Sequence, residues 1–228
     1  MPGAILLLVV FGFIALLLGF SRWLARRHWA AAGNVAVAIL LFAIAHVAWP
    51  AVMHLRTYEA LLPRDAMVAQ VSCERTGPRT FRLTLTRLPA GRMQVFEMTG
   101  DQWRLEARTL VWKDRAAQIG LPASYRFERL SSRRLDATRS SGVPAEQPPE
   151  LPASYALSDA DEAGEDVWSQ ARTGRRWASQ VDPRRVYGPW RPLANGARFD
   201  VWMERPSGSI DAQLQALPAN EAAAKALR

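Results

Sequence analysis

PGAILLLVVFGFIALLLGFS fills positions 2–21, AAAGNVAVAILLFAIAHVAWPAVM fills 30–53, and RWLARRHW joins them at 22–29. The first stretch carries no charge, His46 is the only ionisable side chain in the second, and no acid precedes Glu59. A helix rises about 1.5 Å per residue, so roughly 20 residues cross a ~30 Å hydrocarbon core. Both stretches are long enough. The expectation is a transmembrane hairpin within residues 1–56, with helices at about 3–21 and 30–53. A cleaved secretory signal has basic residues before its apolar run and small ones after it. Here the order is reversed: Met1-Pro2-Gly3 leads, and Phe20, Arg22 and Trp23 follow. The segment is therefore expected to stay attached.

The connecting loop holds Arg22, Arg26 and Arg27, while the N-terminal flank has no basic side chain. Arg56 and Arg64 beyond the second helix are offset by Glu59 and Asp65. By the positive-inside rule the loop is expected in the cytoplasm and both termini in the periplasm of a bacterium, as a multi-pass inner-membrane protein; the alternative is the inverted topology with a cytosolic domain. Trp23, Trp29 and Trp49 suit interfacial anchoring. Gly12, Ala15 and Gly19 on one helix, with Ala32, Ala36 and Ala43 on the other, permit close packing. Asn34 and His46 are the candidate intramembrane polar site, since an ionisable group at that depth is a functional candidate by default. The competing reading is cross-helix hydrogen bonding and interfacial placement.

Beyond residue 56 a juxtamembrane linker at 57–66 leads to a change of period. RTFRLTLTRL (79–88) alternates strictly, with Phe81, Leu83 and Leu85 on one face and Arg82, Thr84 and Thr86 on the other. Such alternation marks a strand with one buried face. Strands are also expected at 67–73, 92–98 and 102–112, with turns at Gly77-Pro78, Pro89-Ala90-Gly91 and Thr99-Gly100-Asp101. Together they read as a four-strand antiparallel meander. A helical turn near 116–119, a fifth strand at 125–130 and a last strand at 197–204 complete a β-rich domain at 67–206. Residues 131–156 are rich in Pro, Ser and Arg and read as a mobile loop. SDADEAGEDVWSQARTG (158–174) reads as one packed amphipathic helix, capped by Ser158 and ended by Gly174. Its acids, Asp159 to Asp166, lack calcium-loop spacing. Residues 207–228 read as a C-terminal tail, ending in NEAAAKALR (220–228) as a frayed helix or disordered segment. The fold class is thus membrane-anchored α+β.

The chain has 228 residues, 29 Lys+Arg against 21 Asp+Glu, and a formal charge of +8. Its mean hydropathy of −0.10 averages two unlike parts. Residues 54–140 carry sixteen basic and nine acidic groups, whereas residues 141–228 carry ten and twelve. A basic sheet meeting an acidic helix of its own chain is one expectation. One cysteine excludes an internal disulfide scaffold. All three histidines, His28, His46 and His54, precede residue 57. Ser-His-Asp and Cys-His catalysis and the usual zinc sites therefore lack their residues in the β domain. Met53, His54 and His46 are too few to define a soft-metal site. No metal or cofactor is implied, and Cys73 reads as a small buried residue. A carboxylate pair able to cleave cell-wall sugars stays open, although no pair stands out among the acids.

The remaining positive feature is arginine interleaved with aromatics. Trp177, Tyr187 and Trp190 lie among Arg175, Arg176, Arg184, Arg185 and Arg191. Arginine's planar fork suits phosphate and carboxylate, and its plane also stacks on aromatic rings. Candidate partner-binding residues are Arg82, Trp103, Arg104, Arg108, Trp112, Arg126 and Trp190. Nucleic acid is not expected outside the cytoplasm. The expected partners are the lipid bilayer, anionic envelope material, an envelope protein or a second copy of the chain.

GDQWRLEARTLVWKD (100–114) and GLPASYRFERLSSR (120–133) carry a family likeness. Together with two N-terminal helices, they resemble small proteobacterial inner-membrane proteins commonly labelled cation/multidrug efflux pumps or multidrug transporters. The resemblance implies an envelope location and an accessory role, and brings no catalytic residues. The leading expectation is a non-catalytic accessory or binding protein. The alternatives are a component of a small-solute or multidrug transport system, built from hairpin oligomers, and a carboxylate-only hydrolase.

Overall fold

A computed structural model describes residues 2–61, 65–113, 117–118, 121–135, 153–157, 166–204 and 212–228. Most of the loop expected at 131–156, the acids from Asp159 to Glu165 and the Ser158 cap lie outside the described residues. The chain divides into two compact units, residues 1–58 with 161–170, and residues 59–160 with 171–228.

The first unit is a helical hairpin. α1 spans Pro2–Leu24 and α2 spans His28–Leu55, each a few residues longer than the apolar stretches that announce it. Their connection is correspondingly tighter, with Arg26 in the left-handed region at φ 59°. At about 1.5 Å per residue the helices run about 35 and 42 Å, and both are candidate membrane spans by length and composition. The seam between them repeats every seven residues: Ile5, Gly12 and Gly19 on α1 are buried, as are Ala31, Ala38 and Ala45 on α2. A seven-residue repeat is the signature of helices that coil around each other. The glycines belong to the seam as expected, but Ala32, Ala36 and Ala43 face outward. A Cβ on Gly12 would stand 2.9 Å from the Phe42 ring, so the absent side chain is what admits that ring. Phe42 in turn meets Phe13 edge-on at 5.3 Å. The outer faces expose large apolar side chains, among them Leu6, Phe11, Leu17, Ile39 and Leu40.

The second unit is a β sandwich with a short helix near its C-terminal end. Its strands are β1 (Glu59–Ala60), β2 (Ala66–Gly77), β3 (Thr80–Arg87), β4 (Arg92–Thr99), β5 (Gln102–Trp112), β6 (Ser124–Arg133), β7 (Ser154–Ala156), β8 (Val181–Tyr187), β9 (Arg191–Pro192), β10 (Arg198–Glu204) and β11 (Gln213–Pro218). One antiparallel sheet has the order β1-β6-β5-β8, with β7 added to β6 and β9 to β5; the other runs β11-β10-β2-β3-β4. The expected four-strand meander is therefore split. β2, β3 and β4 stay together, while the chain changes sheets at Gly100 and gives β5 to the other layer. Gly100 sits at φ 137°, and a Cβ there would lie 2.8 Å from the Arg133 carbonyl oxygen. Only glycine allows that approach.

The apolar faces of both sheets form one core. Val71, Leu83, Leu85, Met98, Phe199 and Met203 come from one sheet, and Trp103, Leu105, Tyr125, Phe127 and Leu130 from the other. Trp103 meets Phe199 edge-on across the layers at 5.6 Å. At the chain end a strand stands where only a tail is expected, and the terminal residues take the helical alternative. β11 is an edge strand paired with β10 along its length, and α4 (Glu221–Ala226) buries Ala223 in the same core. Asn220 caps α4 by accepting from the Ala223 N–H. The described helix in the 158–174 stretch is α3 (Val167–Arg172).

Candidate functional site: an arginine–aromatic sheet face

Strand alternation puts Trp103, Leu105 and Ala107 on the core face of β5, so Arg104, Glu106 and Arg108 point the opposite way. Their cross-strand neighbours follow. Arg108 stands opposite Arg126 on β6 and Arg185 on β8, while Glu106 stands opposite Arg129 and Tyr187. Arg133 pairs with Gln102 at the end of the same row. Among its described residues this face carries Arg104, Arg108, Arg126, Arg129, Arg133 and Arg185 against Glu106 and Glu128.

A β-bulge makes the set possible. Between Glu106 and Ala107 the partner in β6 jumps from Arg129 to Phe127, leaving Glu128 as the extra residue. A bulge shifts the phase of its strand. Before it the even-numbered Arg126 faces outward; after it the odd-numbered Arg129 and Arg133 do. Without the bulge these arginines would lie on opposite faces.

Glu128 holds the centre. Its Oε1 accepts from Arg108 Nη2 and, at 3.1 Å, from Arg185 Nη2. Burial works to raise its carboxyl. The Arg108 hydrogen bond and the charges of Arg108, Arg185 and Arg129 outweigh that and hold it below the ordinary range. Glu106 accepts from Arg104 Nη2 at 2.7 Å. A general acid needs a raised pKa, so a carboxylate held ionised between two guanidinium groups serves to position them.

Aromatic rings order one end of the face. The Arg104 guanidinium carbon lies 4.8 Å from the Tyr187 ring centroid and 4.6 Å from that of Trp190, and Arg133 lies 4.4 Å from the Trp190 ring. Stacking fixes the guanidinium plane, while its N–H groups radiate in that plane. Farther along the same face Leu110, Trp112 and Val181 are buried.

The sequence candidates are thus partly united. Arg104, Arg108, Arg126 and Trp190 share this face, where Arg126 is only 9% exposed. Trp112 shares the face but is buried. Trp103 is a fully buried core side chain with no ring surface for a partner. Arg82 lies in the other sheet, 3.8 Å from Glu74. Glu128, Arg129 and Arg133 were not among the candidates, and they belong to the face through the bulge.

In the hairpin Asn34 accepts from Arg22 Nη1 at 3.3 Å, while His46 is exposed beside Phe42 and Trp49. The two are twelve residues apart on one helix, about 18 Å along its axis, so they do not form one site. The Met53 sulfur accepts from Arg56, and buried His54 lies with Nε2 3.4 Å from an Asp166 oxygen. Among the described residues no three His, Cys, Asp or Glu side chains converge as a metal site. Cys73 is buried, which pushes its thiol up to about 12 and keeps it neutral.

No protein-family model, curated protein or solved structure matches this chain.

Proposed function

We propose that this chain is a membrane-anchored binding protein whose arginine–aromatic sheet face engages an anionic partner, without catalysis. The observation that carries the reading is the Arg126–Arg108–Arg185 row, flanked by Arg104 and Arg133 on the Trp190 ring. Forked donors in that density suit phosphate or carboxylate groups repeated along a polymer or clustered on a protein. The exposed apolar surface of the hairpin supports insertion in a bilayer, because water-exposed patches of that kind are rare. The basic loop supports a bacterial inner-membrane orientation with the β domain in the periplasm.

Binding of inorganic polyphosphate, as a probe of repeated phosphate, tests the reading with the full chain in detergent. Replacing Arg104, Arg129 and Arg185 together by Ala is expected to weaken binding at least ~tenfold, and raising the salt to weaken it further. Arg82→Ala is expected to leave it unchanged. Equal affinity in the triple variant and the parent would refute the face as the site. A reporter fused after residue 228 is expected to be active only in the periplasm, and cytoplasmic activity would reverse the orientation.

A further inference from the structure

The open end of the sandwich holds a cavity of about 340 Å³, near the lower end of the ~300–1,000 Å³ range of small-molecule sites. Its walls come from both sheets: Glu59 and Leu61, Tyr125 on β6, Val68 on β2, Met203 on β10, and Pro89 in the β3–β4 turn. They are apolar except for one pair. The Tyr125 hydroxyl, on a residue 3% exposed, donates to Glu59 Oε2 at 2.6 Å. Tyr125 thereby spends its donor on the carboxylate, which can accept about four hydrogen bonds. Burial first, and then the Glu59 bond, raise the phenol, so it stays neutral and the carboxylate stays the acceptor. Arg87 pulls the phenol the other way, but its Nη2 is committed to Gln94 Oε1 and the Leu157 carbonyl, both at 2.7 Å.

We propose that this cavity binds an apolar small molecule that carries an N–H or O–H donor and no negative charge. The apolar walls take the body, and the Glu59 carboxylate takes the donor. Like charges repel, and more strongly beside apolar walls than in bulk water, so the same carboxylate disfavours anionic analogues. The pendant thioethers of Met67 and Met203 let the walls adjust to bodies of different outline. None of these residues belongs to the arginine face, so either site can fail without the other.

N-phenyl-1-naphthylamine and its 8-sulfonate share one ring skeleton and differ by one negative charge. Equilibrium dialysis of the full chain in a fixed detergent, with the micelle-only uptake subtracted, measures both. The amine is expected to bind saturably at one site per chain, and the sulfonate at least ~tenfold more weakly. Glu59→Gln is expected to narrow that gap to about twofold. Met67→Trp and Ala66→Phe fill the cavity from its β2 rim, and either is expected to abolish saturable uptake while near-ultraviolet circular dichroism stays native. No saturable uptake by the parent chain overturns the proposal. So does uptake that survives in whichever rim variant folds, or an unchanged gap in Glu59→Gln.

Discussion

Glu128 is one carboxylate serving two guanidinium groups, and its pH behaviour follows from that. Its carboxyl is lowered from the ordinary 4.5 in the folded chain. A group so shifted contributes stability in full above its unfolded pKa and loses it as pH falls through the folded one. The loss therefore falls below about pH 4.5. Glu128→Gln is expected to cost about 1–3 kcal/mol near neutral pH, because its side chain is 12% exposed and its bonds are charge-assisted. Denaturant titrations at pH 3–7 should then give a flatter stability profile for the variant than for the parent. An identical profile would mean that the Arg108 and Arg185 bonds carry no net stability. At this scale the sequence was informative about type and less so about place. Arginines and aromatics announced a face, yet Trp103 proved to be core, since a large ring on the apolar phase of a strand serves burial first.

Elements were legible where their period was clean. β3 follows the alternation of residues 79–88, and the two apolar stretches became α1 and α2. Legibility failed where the period was broken. In YRFERLS (125–131), the inward residues Tyr125 and Phe127 are followed not by 129 but by Leu130. That gap of three is the written trace of the bulge, and it reassigns Arg129 and Arg133 to the outer face. β11 was obscured for another reason. QLQALP is short, carries little charge pattern and gains its identity from pairing with β10. α4 depends on Asn220, whose side chain accepts from the Ala223 and Arg198 N–H groups and donates to the Gly196 carbonyl. Asn220→Ala is expected to cost about 1–2 kcal/mol, read by denaturant unfolding. A neutral result would mean that β11 holds the chain end without the cap.

At the scale of the whole chain, the core cluster of the sandwich runs, among the described residues, from Leu61 to Ala223. Residues 59–228 expressed alone are therefore expected to keep native near-ultraviolet circular dichroism and to stay out of detergent micelles, whereas the full chain requires them. Loss of the near-ultraviolet signal would make the hairpin part of the folding unit. Two registers in the sequence, one helical and apolar and one alternating and basic, mark the long helices and the strands, whereas residues 161–170, read as part of the β domain, group with residues 1–58. The split of the meander between two sheets was not announced, because a turn signal at Thr99-Gly100-Asp101 looks the same whether the next strand returns to its neighbour or crosses to another layer.

β2 is the central strand of its sheet, and one of its two neighbours is β10, so that Gln70 bonds Asp200 across 130 positions of chain. During synthesis at about 5–20 residues per second, that neighbour emerges some 6–25 seconds after β2 does. Through that interval one flank of β2 is an open ladder of backbone donors and acceptors beside an uncovered apolar surface, the arrangement that recruits foreign strands. The yield of folded protein is accordingly expected to fall when the nascent chain is left unshielded during this wait, and slower translation to lengthen the exposure instead of relieving it.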